Sequence, residues 1–173
     1  MKKKNILFIA LASTLVVSIF VYWKYLFKAR ETSIKTQNVA TPEFGLNSFR
    51  SDNLDFTVYI IPQRFEIKEG LSYVEFRSGE GVVDSGRNDA TGFEDLNGYL
   101  TDLDEINKTK DISEIRELEI NGYPTRVRDE VRGLVKFRMY YIYVDDWVYV
   151  FSTKSESLYS DLDQIAQSFR YTP

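Results

Sequence analysis

The chain has 173 residues with no Cys and no His, which excludes disulfides, structural zinc sites, Ser-His-Asp and Cys-His nucleophile systems and imidazole acid–base chemistry together. All 26 acidic residues lie at or after Glu31, where only 16 of the 22 basic ones are found, so the part from Glu31 onward carries a formal charge of −10. That excess argues against nucleic-acid binding, which needs clustered Lys and Arg, and it opposes flat adsorption on anionic headgroups.

In chain order, the first element is the apolar run Ile6 to Trp23, which holds no ionisable side chain. Its 18 residues would span roughly 27 Å as a helix, close to the thickness of a bilayer's hydrocarbon core. Tyr22, Trp23 and Tyr25 fall where an aromatic belt meets headgroups, and Lys24, Lys28 and Arg30 follow at once. A buried helix of a soluble protein would carry a polar face over this length. A cleaved signal peptide would have a shorter apolar region and small residues at the cleavage site, whereas Phe27 and Lys28 precede Ala29. Residues 1–30 are therefore expected to form an uncleaved signal anchor, with the lipid bilayer as partner and the C-terminal part outside the cytoplasm. The absence of Cys fits such a compartment.

Residues 31–47 mix polar side chains with Pro42 and Gly45 and show no sustained period. They read as a linker whose ~17 residues reach about 20–25 Å. Residues 48–173 then form one domain, large enough for a core without staples. Leu54, Phe56, Val58 and Ile60 alternate along a strand ended by Pro62, and Leu71 to Phe76 forms a second strand. Glu80–Asp84 reads as a short third one, followed by a Gly/Asp/Asn-rich loop to Thr91. Thr91-Gly92-Phe93-Glu94 is a capping-box arrangement that opens a helix over Gly92–Ile106, with Leu96, Tyr99, Leu100, Leu103 and Ile106 on one face.

Asn121-Gly122 is the pair that a two-residue type I′ hairpin favours. Asp145-Asp146 and Arg132-Gly133 are read as weaker turns of the same length. Those turns make Glu117 face Arg126 and Asp129 face Lys136. They also place Tyr140, Ile142, Val144, Trp147, Tyr149 and Phe151 on one side of the last hairpin and Phe137, Met139, Tyr141, Tyr143, Val148 and Val150 on the other. Both sides are apolar, so both must be covered. A terminal helix over Leu158, Tyr159, Leu162, Ile165, Ala166 and Phe169 supplies the second cover. The expected fold is α+β, an antiparallel sheet sandwiched between helices and preceded by one transmembrane helix.

Leu54 to Phe65, a strand running into Pro62, resembles the opening of the PsbP-like family, named for the extrinsic protein of the photosynthetic oxygen-evolving centre. Leu118 to Pro124 is similar to its hairpin with a Gly-x-Pro corner, and the Tyr-rich hairpin and the Ser168-Phe169 closing segment extend the similarity over residues 48–173. The resemblance implies that fold and, from bacterial relatives, a membrane anchor. Metal sites described in photosynthetic members involve His, and this chain has none.

Arg128, Arg132 and Arg138 are candidates for contact with an anion or a partner, although cross-strand ion pairs account for much of this basic set. Asp84, Asp89, Glu94 and Asp95 are candidates for a calcium-like ion, which takes six to eight oxygens, but the EF-hand spacing is absent. No catalytic set and no cofactor are expected. The leading expectation is a membrane-anchored, extracytoplasmic, non-catalytic domain that acts by protein contact, as an accessory or assembly factor of an envelope complex. The alternatives are a domain binding a ligand or metal ion around Asp84–Asp95, and a carboxylate-based enzyme.

Overall fold

A hairpin with two apolar faces demands two covering layers, and the computed structural model, which describes residues 46–107 and 111–173, supplies them. The elements are β1 (Leu46–Ser51), β2 (Phe56–Pro62), β3 (Glu66–Glu69), β4 (Tyr73–Ser78), β5 (Gly81–Asp89), α1 (Leu96–Asn107), β6 (Ile112–Ile120), β7 (Tyr123–Arg132), β8 (Val135–Val144), β9 (Trp147–Thr153), α2 (Tyr159–Gln167) and β10 (Phe169–Tyr171). Seven strands make one antiparallel sheet in the order β3-β4-β5-β9-β8-β7-β6, and β1-β2-β10 make a second, smaller one.

The two faces of the β8–β9 hairpin separate as their alternation requires. Tyr140, Ile142, Val144, Tyr149 and Phe151 join one core with Phe56, Val58, Leu162, Ile165 and Phe169. Met139, Tyr141 and Val148 join another with Leu96, Tyr99 and Leu100 of α1. Tyrosine hydroxyls pin both layers to the sheet. The Tyr140 hydroxyl donates to Asp163 Oδ1 of α2 at 2.6 Å, and that of Tyr143 donates to the Phe93 carbonyl at 2.9 Å.

The layer over the Tyr140 face corrects the expected helix–sheet–helix arrangement, because α2 shares it with the small sheet. A nine-residue helix, about 14 Å long and 10 Å across, cannot cover seven strands spanning about 29 Å. The terminal helix stops at Gln167, and Phe169 reaches the core from β10 instead. At the other end, β1 begins at Leu46, inside the stretch read as linker. Ile6 to Trp23 lies outside the described residues. Among the described residues, no helix is long and apolar enough to cross a membrane.

Three local expectations also shift. Gly81–Asp89 is one nine-residue strand paired on both sides, where a loop was expected from Asp84. Helix α1 starts at Leu96 rather than Gly92, because Asp95, not Thr91, caps it: Asp95 Oδ1 accepts the Gly98 amide at 2.8 Å. In the β7–β8 turn, Arg132 pairs with Val135 and Asp129 with Arg138, so the two-residue loop is Gly133-Leu134. Its first residue, Gly133, carries φ +66°, as a II′-type loop needs. Partners therefore move by two positions, which leaves every side chain on its expected face. Asn121 and Gly122 have φ 56° and 88°, the two positive values of a I′ loop, and Glu117 does face Arg126.

After Phe56 and Val58, the next buried apolar residue of β2 is Ile61, not Ile60. Asn47 pairs with Ile61 but Phe49 with Val58, so β2 carries one extra residue and its alternation slips there. The hydroxyl of Ser168 accepts both amides exposed by this bulge, Tyr59 and Ile60, each at 3.1 Å, and donates to the Ile165 carbonyl at 2.8 Å. Ser168→Ala leaves two N–H groups without their acceptor and is expected to cost about 1–3 kcal/mol. Urea unfolding checks this: the midpoint should fall while the slope stays constant.

Candidate functional site

The Asp95 cap sets the first turn of α1 against the β6–β7 hairpin, and an open groove of ≈ 290 Å³ lies between them. Leu96, Leu118 and Pro124 supply its apolar surface, and Asp95, Asn97, Glu117 and Arg126 its polar one. The Arg126 guanidinium pairs with the Glu117 carboxylate across the strands and donates to Asn97 Oδ1 at 2.5 Å. The Arg126 side chain is largely covered while that of Glu117 is exposed, so the cation is held in the groove wall and the carboxylate stands at its rim. Strand β6 is the edge of the large sheet, so an extended segment entering the groove would meet strand backbone as well as side chains.

Deeper on the same face, Glu130 is fully buried, and both its oxygens are used. Oε1 accepts from Arg128 Nε and from the Tyr141 hydroxyl, each at 2.6 Å, and Oε2 from Arg132 Nε at 3.0 Å and Nη2 at 2.9 Å. Arg128 forks onto Asp104 of α1 at 2.9 and 2.8 Å and lies over the Tyr141 ring at 4.9 Å. Burial pulls the Arg128 guanidinium down, but the Asp104 hydrogen bond and the Glu130 charge outweigh it, so its pKa is raised. Burial first, and Glu130 second, push the Tyr141 hydroxyl well above its ordinary value. Both groups therefore stay protonated and the network acts as a structural tie between α1 and the sheet.

Arg138 lies on the opposite face of the sheet from Arg128 and Arg132. It bonds Asp129 Oδ1 through Nε at 2.9 Å and lies over the Tyr159 ring at 4.1 Å. Lys136 Nζ is 2.9 Å from the other Asp129 oxygen, a diagonal contact, since the residue directly opposite Lys136 is Val131. Burial raises the Asp129 carboxyl, but hydrogen bonds from Arg138 and Lys136 prevail and hold it below the usual carboxylate range. The three candidate arginines are thus not brought together: two belong to the Glu130 network and one to Asp129.

The acidic candidates are also dispersed. Asp84 and Asp89 sit on β5 with opposite parity, five residues and so about 16 Å apart. Asp84 faces Glu75 across the ladder, and burial, then that neighbour, raises its pKa. Asp89 turns to the Thr91 amide at 2.8 Å, and hydrogen bonds from Thr91 lower its pKa. Asp95 is engaged as the helix cap, and Glu94 precedes it in the exposed turn. Among the described residues, no three acidic side chains are grouped as a metal would require.

The groove and the Glu130 network were not anticipated from the sequence. One signal for the network was present: Arg126, Arg128, Glu130 and Arg132 share a parity with Tyr141 on a face otherwise rich in apolar residues. Charges at that parity must be paired internally.

Two packed sheets, with one helix outside the larger and one helix closing the smaller, define a PsbP-like fold. The chain is similar to the solution structure of cyanobacterial PsbP (CyanoP) from Synechocystis sp. PCC 6803, with 10% identity, a TM-score of 0.51, and coverage of 76% of this chain and 97% of that one. This is a likeness of fold. No protein family and no curated protein is matched by the sequence.

Proposed function

We propose that the chain is a membrane-tethered, extracytoplasmic, non-catalytic accessory domain that engages a protein partner through the groove between α1 and the β6–β7 hairpin. The observation that carries this reading is the groove itself: it is open, its wall combines apolar and polar groups, and strand β6, which contributes Glu117 and Leu118 to it, is an edge strand. Such a surface suits an extended polypeptide, which offers carbonyl and carboxylate acceptors to Arg126 and apolar side chains to Leu96 and Leu118. The apolar run Ile6 to Trp23 supports the tether.

Photo-crosslinking in native membranes tests it. Full-length protein carrying benzoylphenylalanine at the exposed groove residue Pro124 should give one discrete protein adduct. Arg126→Gln should weaken that adduct, and the same probe at Leu71, exposed at the β3–β4 turn, should not form it. Adducts to lipid alone, or equal adducts from both positions, would overturn the assignment.

A further inference from the structure

We propose that the tip of the β7–β8 hairpin is a lipid-contacting element that seats Leu134 and Val135 in the headgroup region of the bilayer; this rests on the membrane-tethered reading above. Leu134 is completely exposed, and Val131 and Val135 beside it are also exposed. Ile106, at the end of α1, is 70% exposed. It lies towards the same end, because Asp104 is tied to Arg128 and the Val131 amide donates to the Asp111 carbonyl at 3.1 Å. Four of the exposed large apolar side chains among the described residues therefore gather at one end of the domain, whereas Leu71, Tyr59 and Tyr73 lie elsewhere.

Strand registers show which end this is. Arg138 pairs with Thr153, the last residue of β9, and Asp84 with Ser152, so β8 starts where β9 ends and β5 starts. Gly81 pairs with Ser78 and Arg77 with Glu66, which brings the start of β3 to that end. The Phe65 amide donates to the Pro62 carbonyl at 3.1 Å, and Pro62 pairs with Leu46. Leu46, the first of the described residues, thus lies at the same end of the fold as the Leu134 tip.

Charge favours the same orientation. The segment from Glu31 onward is acidic as a whole and repelled by anionic lipid. At the tip, however, the half-exposed Arg132 and Lys136 flank the apolar residues, while their carboxylate partners Glu130 and Asp129 are buried. Cations at the rim and aliphatic side chains at the apex match a headgroup layer over acyl chains. A membrane tether in the same chain also keeps the local lipid concentration high, so a contact too weak to recruit a free domain is enough to orient a tethered one.

The absence of Cys makes site-specific spin labelling direct. Full-length protein labelled at Leu134→Cys, in vesicles of phosphatidylcholine with a minority of phosphatidylglycerol, is compared with Leu71→Cys, at the opposite end of the sheet, and with Thr14→Cys. The Leu134 label should collide more with oxygen than with a water-soluble nickel chelate, the Leu71 label should show the reverse, and adding Val135→Asp should abolish the Leu134 signal. If Thr14 reports lipid while Leu134 reports water, or is immobilised without excess oxygen contact as in a protein interface, the tip assignment fails and the tether stands. If Thr14 reports water, both fail.

Discussion

Glu130→Ala is expected to remove about 3–5 kcal/mol of stability, because breaking a buried ion pair strands the charge left behind. The carboxylate is 0% exposed and serves Arg128, Arg132 and Tyr141 at once. Arg132 can swing into water, but Arg128, whose side chain is only 5% exposed, cannot. It would keep its Asp104 fork and lose its Nε acceptor, while the Tyr141 hydroxyl would lose its carboxylate. Against a typical total of about 5–15 kcal/mol, such a loss leaves the domain marginal. Replacing the set together, as Arg128→Met with Glu130→Leu and Tyr141→Phe, should restore most of the loss, since apolar side chains of similar volume carry no desolvation penalty. Urea unfolding of residues 46–173 followed through Trp147 distinguishes the two. A triple variant as unstable as Glu130→Ala would mean that the network contributes net stability beyond its own burial cost.

Phe169→Ala is expected to cost a similar amount, about 3–5 kcal/mol, for a different reason. Its ring is fully buried and sits 4.9 Å from Tyr149, 5.9 Å from Phe56 and Phe151 and 6.2 Å from Tyr123. The ring joins the small sheet to the large one, so its removal opens a cavity between them. The Phe169 carbonyl also accepts the Asn121 side chain at 2.7 Å, which ties β10 to the β6–β7 turn. Phe169→Leu, which keeps most of the volume, should cost less than about 1.5 kcal/mol. Near-UV circular dichroism checks the mechanism: the Ala variant should lose aromatic signal well before its backbone signal, and a Leu variant equally destabilised would point to the ring contacts rather than to the cavity.

The parts of the fold legible in the sequence are those governed by short-range rules. Alternation along Phe137–Phe151 separated the two cores, and Asn121-Gly122 set the register that opposes Glu117 to Arg126. The β7–β8 turn escaped because Arg132-Gly133 and Gly133-Leu134 both place a glycine where positive φ is needed, and only the partner strand selects between them. Phe169 continues the helical spacing of Ile165, so its transfer to a strand is invisible without β2. The extra residue in β2 is invisible for the same reason, since its amides are satisfied by Ser168, more than a hundred positions away. The candidate site depended on long-range placement throughout. Asp84 and Asp89 looked like loop ligands until pairing with β4 and β9 straightened that segment, and Asp104 holds the innermost arginine from a helix 24 positions earlier in the chain.

Strand β2 lies between β1 and β10, and contacts such as Thr57 with Thr172 are separated by 115 residues. During synthesis the smaller sheet therefore has one neighbour missing until nearly every described residue has emerged, and the aromatic cluster around Phe56 stays open for the same interval. The last piece of that sheet is a strand of only three residues, so the whole small layer waits on a very short segment.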